Sequence, residues 1–318
     1  MLNLIRSVIR YFLIAVLFVC AISVVGAWTG QYHWTLDLAA QFLLPVVIIA
    51  CCVAVVAGLA QLTGVGAGAL AIAILASVNA GPWTAPSQTA NPTVPKFSVM
   101  LFNVWYRNAS VDRIAAAIRS KNPDLVVLVE ATPRIRDGLR SIIDSYAYHA
   151  DCLDHSACGF LVFSRSRLQP KDIQVGGSAS MVLSASPAGC NMSLVLVHLT
   201  RPYPFDSPQA QRVQANAMGS EVAAWQGAKL VLGDFNAAPW GYVMQTIAAK
   251  GGVSLLTGSG GTWPSVLPKQ MRIPIDHMLA GPGLQFVGRE VMGAAGSDHV
   301  PLFAEIAVTD ASQCARSN

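Results

Sequence analysis

The sequence predicts an α/β domain held behind an N-terminal membrane anchor. Charge is almost absent from the first 95 residues: Asp, Glu, Lys and Arg are missing from Tyr11 to Leu36 and again from Leu38 to Pro95. From Lys96 onward, short β-rich runs alternate with helical patterns, as in layered sheets and helices. Acidic and amide residues then fall at the ends of those runs rather than within them.

The 318 residues leave room for one domain of about 200 residues and an appendage. Hydrophobic residues make up 53% and charged ones 12%, with a mean hydropathy of +0.48. That is too apolar for an ordinary soluble domain and points to lipid contact. Residues 96–318 carry a net charge of +3 with no Lys/Arg run. Duplex binding rests on clustered phosphate-neutralising cations, so there is no strong nucleic-acid-binding signal.

A membrane-spanning helix needs about 20 apolar residues. Leu38–Ala60, Tyr11–Ala27 and Leu62–Val78 qualify in descending order, the last diluted by Gly64, Gly66 and Gly68. These predict a transmembrane region over 1–80 with about three helices. A cleaved signal peptide is the alternative for the first stretch, since Arg6 and Arg10 precede it and Val25-Gly26-Ala27 resembles a cleavage site; it leaves the later stretches unexplained. Arg6 and Arg10 place the N-terminus in the cytoplasm. Three spans then put the following domain outside, and two would put it inside.

Gly81–Pro95 contains Pro82, Pro86, Pro92 and Pro95, which marks residues 81–96 as a stiff linker. At about 3.1 Å per residue it could lift the domain by about 45 Å. The catalytic-type domain spans 97–308, and the polar segment 309–318 reads as a frayed tail. Strands are expected at Phe97–Phe102, Leu125–Val129, Phe160–Phe163, Ser193–Val197, Leu230–Leu232, Ile275–Leu279 and Leu302–Ala307. Several are apolar throughout, as strands buried on both faces are. Helices are expected after Ser110, after Thr132-Pro133 as one run through Ile143, and after Ser207-Pro208 as far as Trp225.

Asn103, Glu130, His198, Asp234 with Asn236, Asp276, and Asp298 with His299 all border these strands. Charges beside a core are costly unless paired or metal-bound, so acids and histidines converging at strand ends predict a cation site with acid/base groups beside it. The donors are mostly hard oxygens, suited to Mg²⁺ or Mn²⁺. Such an ion neutralises phosphate oxygens and activates water.

In order, the motifs Phe102-Asn103, Val129-Glu130, Gly159-Phe160-Leu161-Val162-Phe163-Ser164-Arg165, Val197-His198-Leu199, Gly233-Asp234-Phe235-Asn236, Ile275-Asp276-His277 and Ser297-Asp298-His299 resemble the endonuclease/exonuclease/phosphatase superfamily over Phe97–Val308. The GDFN and SDH motifs are the most specific. The resemblance implies a four-layer α/β/β/α sandwich and a metal-dependent phosphoric ester hydrolase. Glu130, Asn103 and Asp298 would hold the metal. Asp234 would orient or deprotonate water, Asn236 would steady it, Asp276 would orient His299, and His198 would stabilise developing charge. The resemblance extends to membrane-anchored bacterial members, and so to a phosphorylated substrate that is lipid-linked at the outer face of the cell membrane. A nuclease in the same fold and a non-catalytic membrane scaffold are the alternatives.

Arg201, just after His198, is a candidate phosphate ligand, with Arg107 and Arg272 weaker ones. Cys152 and Cys158 bracket a short loop and suit a disulfide in an extracytoplasmic domain. Free thiols are the alternative, and Cys190 and Cys314 complete an even count outside the anchor.

Overall fold

The computed structural model describes residues 1–85, 93–154, 158–174, 179–202 and 208–314. The predicted cap Ser207 and the middle of the predicted linker lie outside them. Four helices open the chain: α1 (Leu2–Thr29), α2 (Trp34–Ala40), α3 (Leu43–Leu59) and α4 (Thr63–Thr84). The Arg6 guanidinium donates to the Gln61 carbonyl between α3 and α4 (2.7 Å). At the opposite end, Gly30 O and Trp83 O accept hydrogen bonds from the following domain. So α1 and α4 run toward that domain and α3 runs away from it. Small side chains, Ala50 and Ala57 on α3 and Ala69, Ala73, Ala76 and Ala80 on α4, are buried in the bundle, as close helix packing in lipid requires. Among the described residues, all but four of the large exposed apolar side chains lie in the first 78. Exposed apolar side chains gathered in one region of the chain mark an interaction surface.

Helices α1 and α4 are long and apolar enough to cross a membrane. The segment that ranks first by sequence, Leu38–Ala60, is not one helix: α2 and α3 meet at 61° at Gln41–Phe42 and amount to a third span only if taken together. The bend falls four residues before Pro45, which has no N–H to donate to Gln41 O and whose ring crowds that carbonyl. The break leaves the last carbonyls of α2 without intrahelical partners, and Ala40 O accepts instead from Trp240 Nε1 (2.6 Å) of the following domain.

The domain holds two six-stranded sheets. The first, in the order β11-β12-β1-β2-β4-β3, contains β1 (Lys96–Asn103), β2 (Leu125–Val129), β3 (Tyr148–Asp151), β4 (Leu161–Ser164), β11 (Leu284–Val291) and β12 (Leu302–Val308). The second, in the order β5-β6-β7-β8-β10-β9, contains β5 (Leu168–Gln174), β6 (Ala179–Ala185), β7 (Met192–His198), β8 (Lys229–Asp234), β9 (Ser254–Leu255) and β10 (Asp276–Ala280). Val99, Leu101, Val127, Leu194, Leu196 and Leu232 meet in the core between the sheets. The outer face of the first sheet is covered by α5 (Val111–Lys121), α6 (Pro133–Gly138) and α7 (Arg140–Ile143). That of the second is covered by α8 (Pro208–Ala224) and α9 (Tyr242–Gly251). This is the four-layer α/β/β/α sandwich.

Several local expectations change. The run after Pro133 is interrupted at Leu139 (φ −93°, ψ 7°) and gives two helices. Thr132 caps the first of them, accepting from Ile135 N (3.3 Å), whereas Ser110 makes no side-chain cap at α5. Helix α4 continues to Thr84, into the start of the predicted linker, and the domain sits directly on the end of the bundle rather than lifted from it. The tail is not frayed as far as Cys314: α10 (Ala311–Cys314) is pinned by a Cys190–Cys314 disulfide, and Gln313 O accepts from Ala228 N (3.0 Å). Cys152–Cys158 is the second disulfide.

Gly233 shows how tightly β7 and β8 approach beside the site. Its φ is +155°, and a Cβ there would stand 1.8 Å from Val197 O. Gly233→Ala is therefore expected to force the parallel β7–β8 pair apart and lower stability by about 3 kcal/mol or more, by strain plus loss of ladder hydrogen bonds. A thermal melt shifted by less than about 2 °C would contradict this.

Candidate active site

Strand register brings the predicted residues together. In the second sheet His198 pairs with Asp234 across the parallel β7–β8 ladder, and Asp234 pairs with Asp276 across the antiparallel β8–β10 ladder. In the first sheet Asn103 ends β1 opposite Val129, whose neighbour Glu130 follows β2. These strands are buried apolar runs, so the first polar residue after each run surfaces at one shared edge of the sandwich.

There the side chains form a continuous network. Asn103 Nδ2 donates to Glu130 Oε1 (3.0 Å) and to Asp234 Oδ2 (2.9 Å), which ties the two sheets together. Asp234 Oδ1 accepts from Asn236 N (2.9 Å), and Asn236 Nδ2 donates to Leu199 O (2.9 Å). His299 Nδ1 lies 2.8 Å from Asp276 Oδ2, and its Nε2 lies 3.7 Å from Asp234 Oδ2. His198 Nε2 is 3.7 Å from Glu130 Oε1 and 3.9 Å from Asp234 Oδ2. The dipeptide before His299 is also structural: Ser297 Oγ donates to Asn103 O (2.8 Å) and accepts from His299 N (3.1 Å).

Burial, and then the facing charge of Asp276, holds the Asp234 carboxyl above the usual carboxylate range, against the pull of His299 and His198. Burial opposes charge on His299, but the charges of Asp276 and Asp234 outweigh it and hold the imidazole well above its ordinary value. A carboxyl and an imidazole, both with raised proton affinity, thus face each other, each shifted by its environment.

The backbone is strained at the same place. Trp105 (φ 59°), Glu130 (φ 55°) and Asn236 (φ 49°) adopt left-handed conformations that non-glycine residues rarely take, and all three line the cavity. Strain of about 1–3 kcal/mol per residue persists where the surroundings enforce it, commonly at functional sites.

The donor set fits a hard divalent cation. Glu130, Asp234 and Asp298 line one cavity and Asp276 stands directly behind His299, an excess of carboxylate that a cation would relieve. Ligand-capable atoms of Glu130, His198 and Asp234 lie within 4.8 Å of one another, as do those of Asp234, Asp276 and His299. The Glu130 side chain remains 22% exposed toward the cavity, and Asp276 Oδ1 is buried without a hydrogen-bond partner. Asp298 is placed differently from the other acids: its Oδ2 accepts from Trp263 Nε1 (3.2 Å), and it belongs to neither cluster.

The cavity, of about 790 Å³, is also lined by Arg107 and Arg201. Arg272 does not line it, because its guanidinium is turned into its own loop, donating to Leu267 O (2.8 Å) and Ser265 O (3.0 Å). Sequence reasoning missed the aromatic wall of Trp105, Tyr106 and Trp263, and three lining residues from the anchor, Leu38, Gln41 and Phe42. The aromatics sit in loops without periodicity. The anchor residues sit within an apolar run, where the polar Gln41 and the following Pro45 are the only local marks.

The profile of the Endonuclease/Exonuclease/phosphatase family matches residues 100–299, and the chain belongs to that family. Its members are metal-dependent hydrolases acting on phosphodiesters or phosphate esters. Among solved structures, the chain is similar to an endonuclease/exonuclease/phosphatase from Beutenbergia cavernae DSM 12333, with 20% identity and a TM-score of 0.53 over 68% of this chain and 72% of that one. It is similar to one from Bacteroides vulgatus, with 16% identity and a TM-score of 0.53 over 67% and 99%. It also resembles a humanized D. rerio TDP2, with 14% identity and a TM-score of 0.52 over 67% and 99%. At these identities the likeness is one of fold. No curated protein matches the chain.

Proposed function

We propose that the protein is a membrane-anchored, Mg²⁺- or Mn²⁺-dependent phosphoesterase that hydrolyses a phosphate ester or diphosphate of a lipid-linked substrate at the outer face of the cell membrane. The observation that carries this reading is the direct docking of the catalytic domain on the anchor. Arg212 donates to Gly30 O (2.8 Å) and Gln31 O (2.5 Å) at the end of α1, and Asp37 Oδ1 accepts from Tyr242 N (2.7 Å). Gly241, which precedes α9, has no side chain to cap it, so the anchor's single acid supplies the cap. The site is thereby held at one end of the helical bundle, which supports a substrate presented at the membrane surface. Arg6 and Arg10 stand at the other end, which supports an outward-facing domain, and two disulfides suit an oxidising compartment. A cavity of about 790 Å³ also falls in the range typical of small-ligand sites.

Glu130 and Asn103, with Asp298 at the cavity wall, are the residues that would hold the metal, with Asp234 and His198 beside them. A divalent cation bound there would neutralise phosphoryl charge and acidify a nearby water. Asp234 accepts the proton of the attacking water as its oxygen bonds to phosphorus. His299, kept protonated and oriented by Asp276, gives its proton to the leaving oxygen as the P–O bond breaks. Asn236 positions the water, and His198 and Arg201 face the phosphoryl charge.

Two measurements test this reading. Full-length protein in nanodiscs is assayed with a polyprenyl diphosphate, phosphatidic acid, a water-soluble phosphomonoester, and single- and double-stranded DNA. Lipid-linked phosphate should be the best substrate, with turnover lost to a chelator and restored by Mg²⁺. Preferential cleavage of DNA would replace this reading with a nuclease, the activity suggested by the D. rerio TDP2 complexed with single strand DNA product that shares the fold. Separately, C-terminal reporter fusions should be active with the reporter that works outside the cytoplasm and silent with its cytoplasmic counterpart. The reverse pattern would return intracellular nucleotides and nucleic acids to first place.

A further inference from the structure

We infer that the elbow between α2 and α3 is a substrate subsite: Leu38, Gln41 and Phe42 hold the hydrocarbon chain of a lipid-linked phosphate while its phosphate meets the catalytic residues. The inference rests on the lipid-phosphate reading above and extends it from where the site lies to which residues read the substrate.

The elbow is built into the cavity rather than merely near it. The same cavity is lined by Leu38, Gln41 and Phe42 from the anchor and by Glu130, His198, Asp234 and His299 from the strand ends. Its apolar lining has a distinct origin. Ile273 and Ile275 line the cavity and also belong to the buried cluster that joins α1, α3 and α4 to the catalytic domain, with Trp263 packed against it. The hydrophobic part of the cavity is thus the anchor–domain seam, and the charged part is the strand-end network. A molecule filling both must be amphiphilic, with a phosphate and an adjoining apolar chain.

The elbow is also held in place. Trp240 Nε1 donates to the Ala40 carbonyl that the helix break frees. Asp37 caps α9 and lies 4.0 Å from Arg212, whose guanidinium stacks on Tyr242 at 3.9 Å. Gln41 is buried and its Nε2 donates to Asn236 O (3.4 Å), the carbonyl that also accepts from Gln211 Nε2 (3.0 Å). An anchor side chain therefore braces the catalytic loop directly. Phe42 remains 43% exposed at the bend, although the following Leu43 is fully buried. A large aromatic at a fixed corner between lipid and cavity is placed to contact a chain passing from one to the other. Pre-organised apolar walls of this kind raise affinity without ordering cost.

The test uses the full chain in phosphatidylcholine nanodiscs and compares kcat/KM for a long-chain polyprenyl diphosphate, a long-chain phosphatidic acid and the short-chain analogue of each. Wild type should prefer long chains over short ones. Phe42→Asp should reduce that long-to-short ratio at least tenfold, and Phe42→Leu should retain it. A ratio unchanged in Phe42→Asp overturns the subsite. The pair showing the larger loss identifies an isoprenoid or an acyl chain as the occupant. A second measurement does not depend on turnover: Phe42 is replaced by benzoylphenylalanine and photolysed with an alkyne-tagged long-chain lipid phosphate. A crosslink competed by excess untagged lipid phosphate, but not by neutral diacylglycerol, supports the subsite even if DNA proves the better substrate in the assay above. No crosslink, or equal competition by the neutral lipid, overturns it.

Discussion

Asp234→Asn is expected to lower kcat by about 10²–10⁴, with KM changing much less, because it removes a positioned proton acceptor and leaves the shape of the site intact. Asp234 is the hub of the network. Its Oδ2 accepts from Asn103 and faces both His299 and His198, while its Oδ1 accepts from the Asn236 backbone. Burial and the Asp276 charge raise its proton affinity, which brings a carboxyl group toward the range where a base works best near neutral pH. An amide of the same size keeps one of the two accepted hydrogen bonds, from Asn103 Nδ2 or from Asn236 N, and cannot take a proton. His299→Ala should produce a loss of similar size by removing the imidazolium that Asp276 orients. The double variant should lose far less than the product of the two single losses, since both groups serve one transfer. Steady-state kinetics on the full-length protein check this. Effects of about tenfold or smaller at both positions would overturn the assignment.

Glu130→Ala should abolish Mg²⁺-dependent turnover, with a loss of about 10³-fold or more, as removal of several kcal/mol of charge stabilisation implies. The fold should survive. Glu130 follows β2 with its side chain partly exposed to the cavity, and the apolar strand before it, Leu125–Val129, packs without it. The direct reading is metal affinity: Mn²⁺ titration followed by electron paramagnetic resonance or calorimetry should show weaker binding, with an unchanged melting temperature in chelator. Binding equal to wild type would move the metal to the Asp234, Asp276 and His299 group, the other cluster with ligand-capable atoms in range.

How far this chain can be read from its residues depends on where side chains act as local signals. Central strands such as Leu125–Val129 and Met192–His198 are buried along nearly their whole length and so appear as unbroken apolar runs. The polar residue ending each run stands out for the same reason. Edge strands are illegible. β5 carries Pro170 and Lys171 and shifts register between Pro170 and Asp172, and β9 is two residues long. Such features protect an open sheet edge from further pairing and erase the pattern that would announce a strand. β6, one place in from that edge, also escapes a sequence reading, although its Met181-Val182-Leu183 is a short apolar run.

The candidate site is written in the residues themselves, because its members are charged groups at core boundaries, where burial is costly unless a partner or a metal offsets it. The apolar N-terminal part is marked in the same way, since a long stretch without charge reads as helices apolar enough to cross a membrane. The relation between these parts is different in kind. Leu38–Ala60 is a long apolar stretch, and its Pro45 has no N–H to donate to Gln41 O, so a break near Gln41 is legible in the residues themselves. What the residues do not show is which group meets the backbone freed there: Trp240, 200 residues further along the chain, donates to Ala40 O. Asp37 reads as an interruption of the anchor until Gly241 and Tyr242 are seen beside it, lacking a cap. Hydrophobicity and charge are properties of a segment. The pairing of orphaned backbone groups across a seam depends on elements distant in the chain, and it is this pairing that sets the apolar N-terminal helices against the cavity.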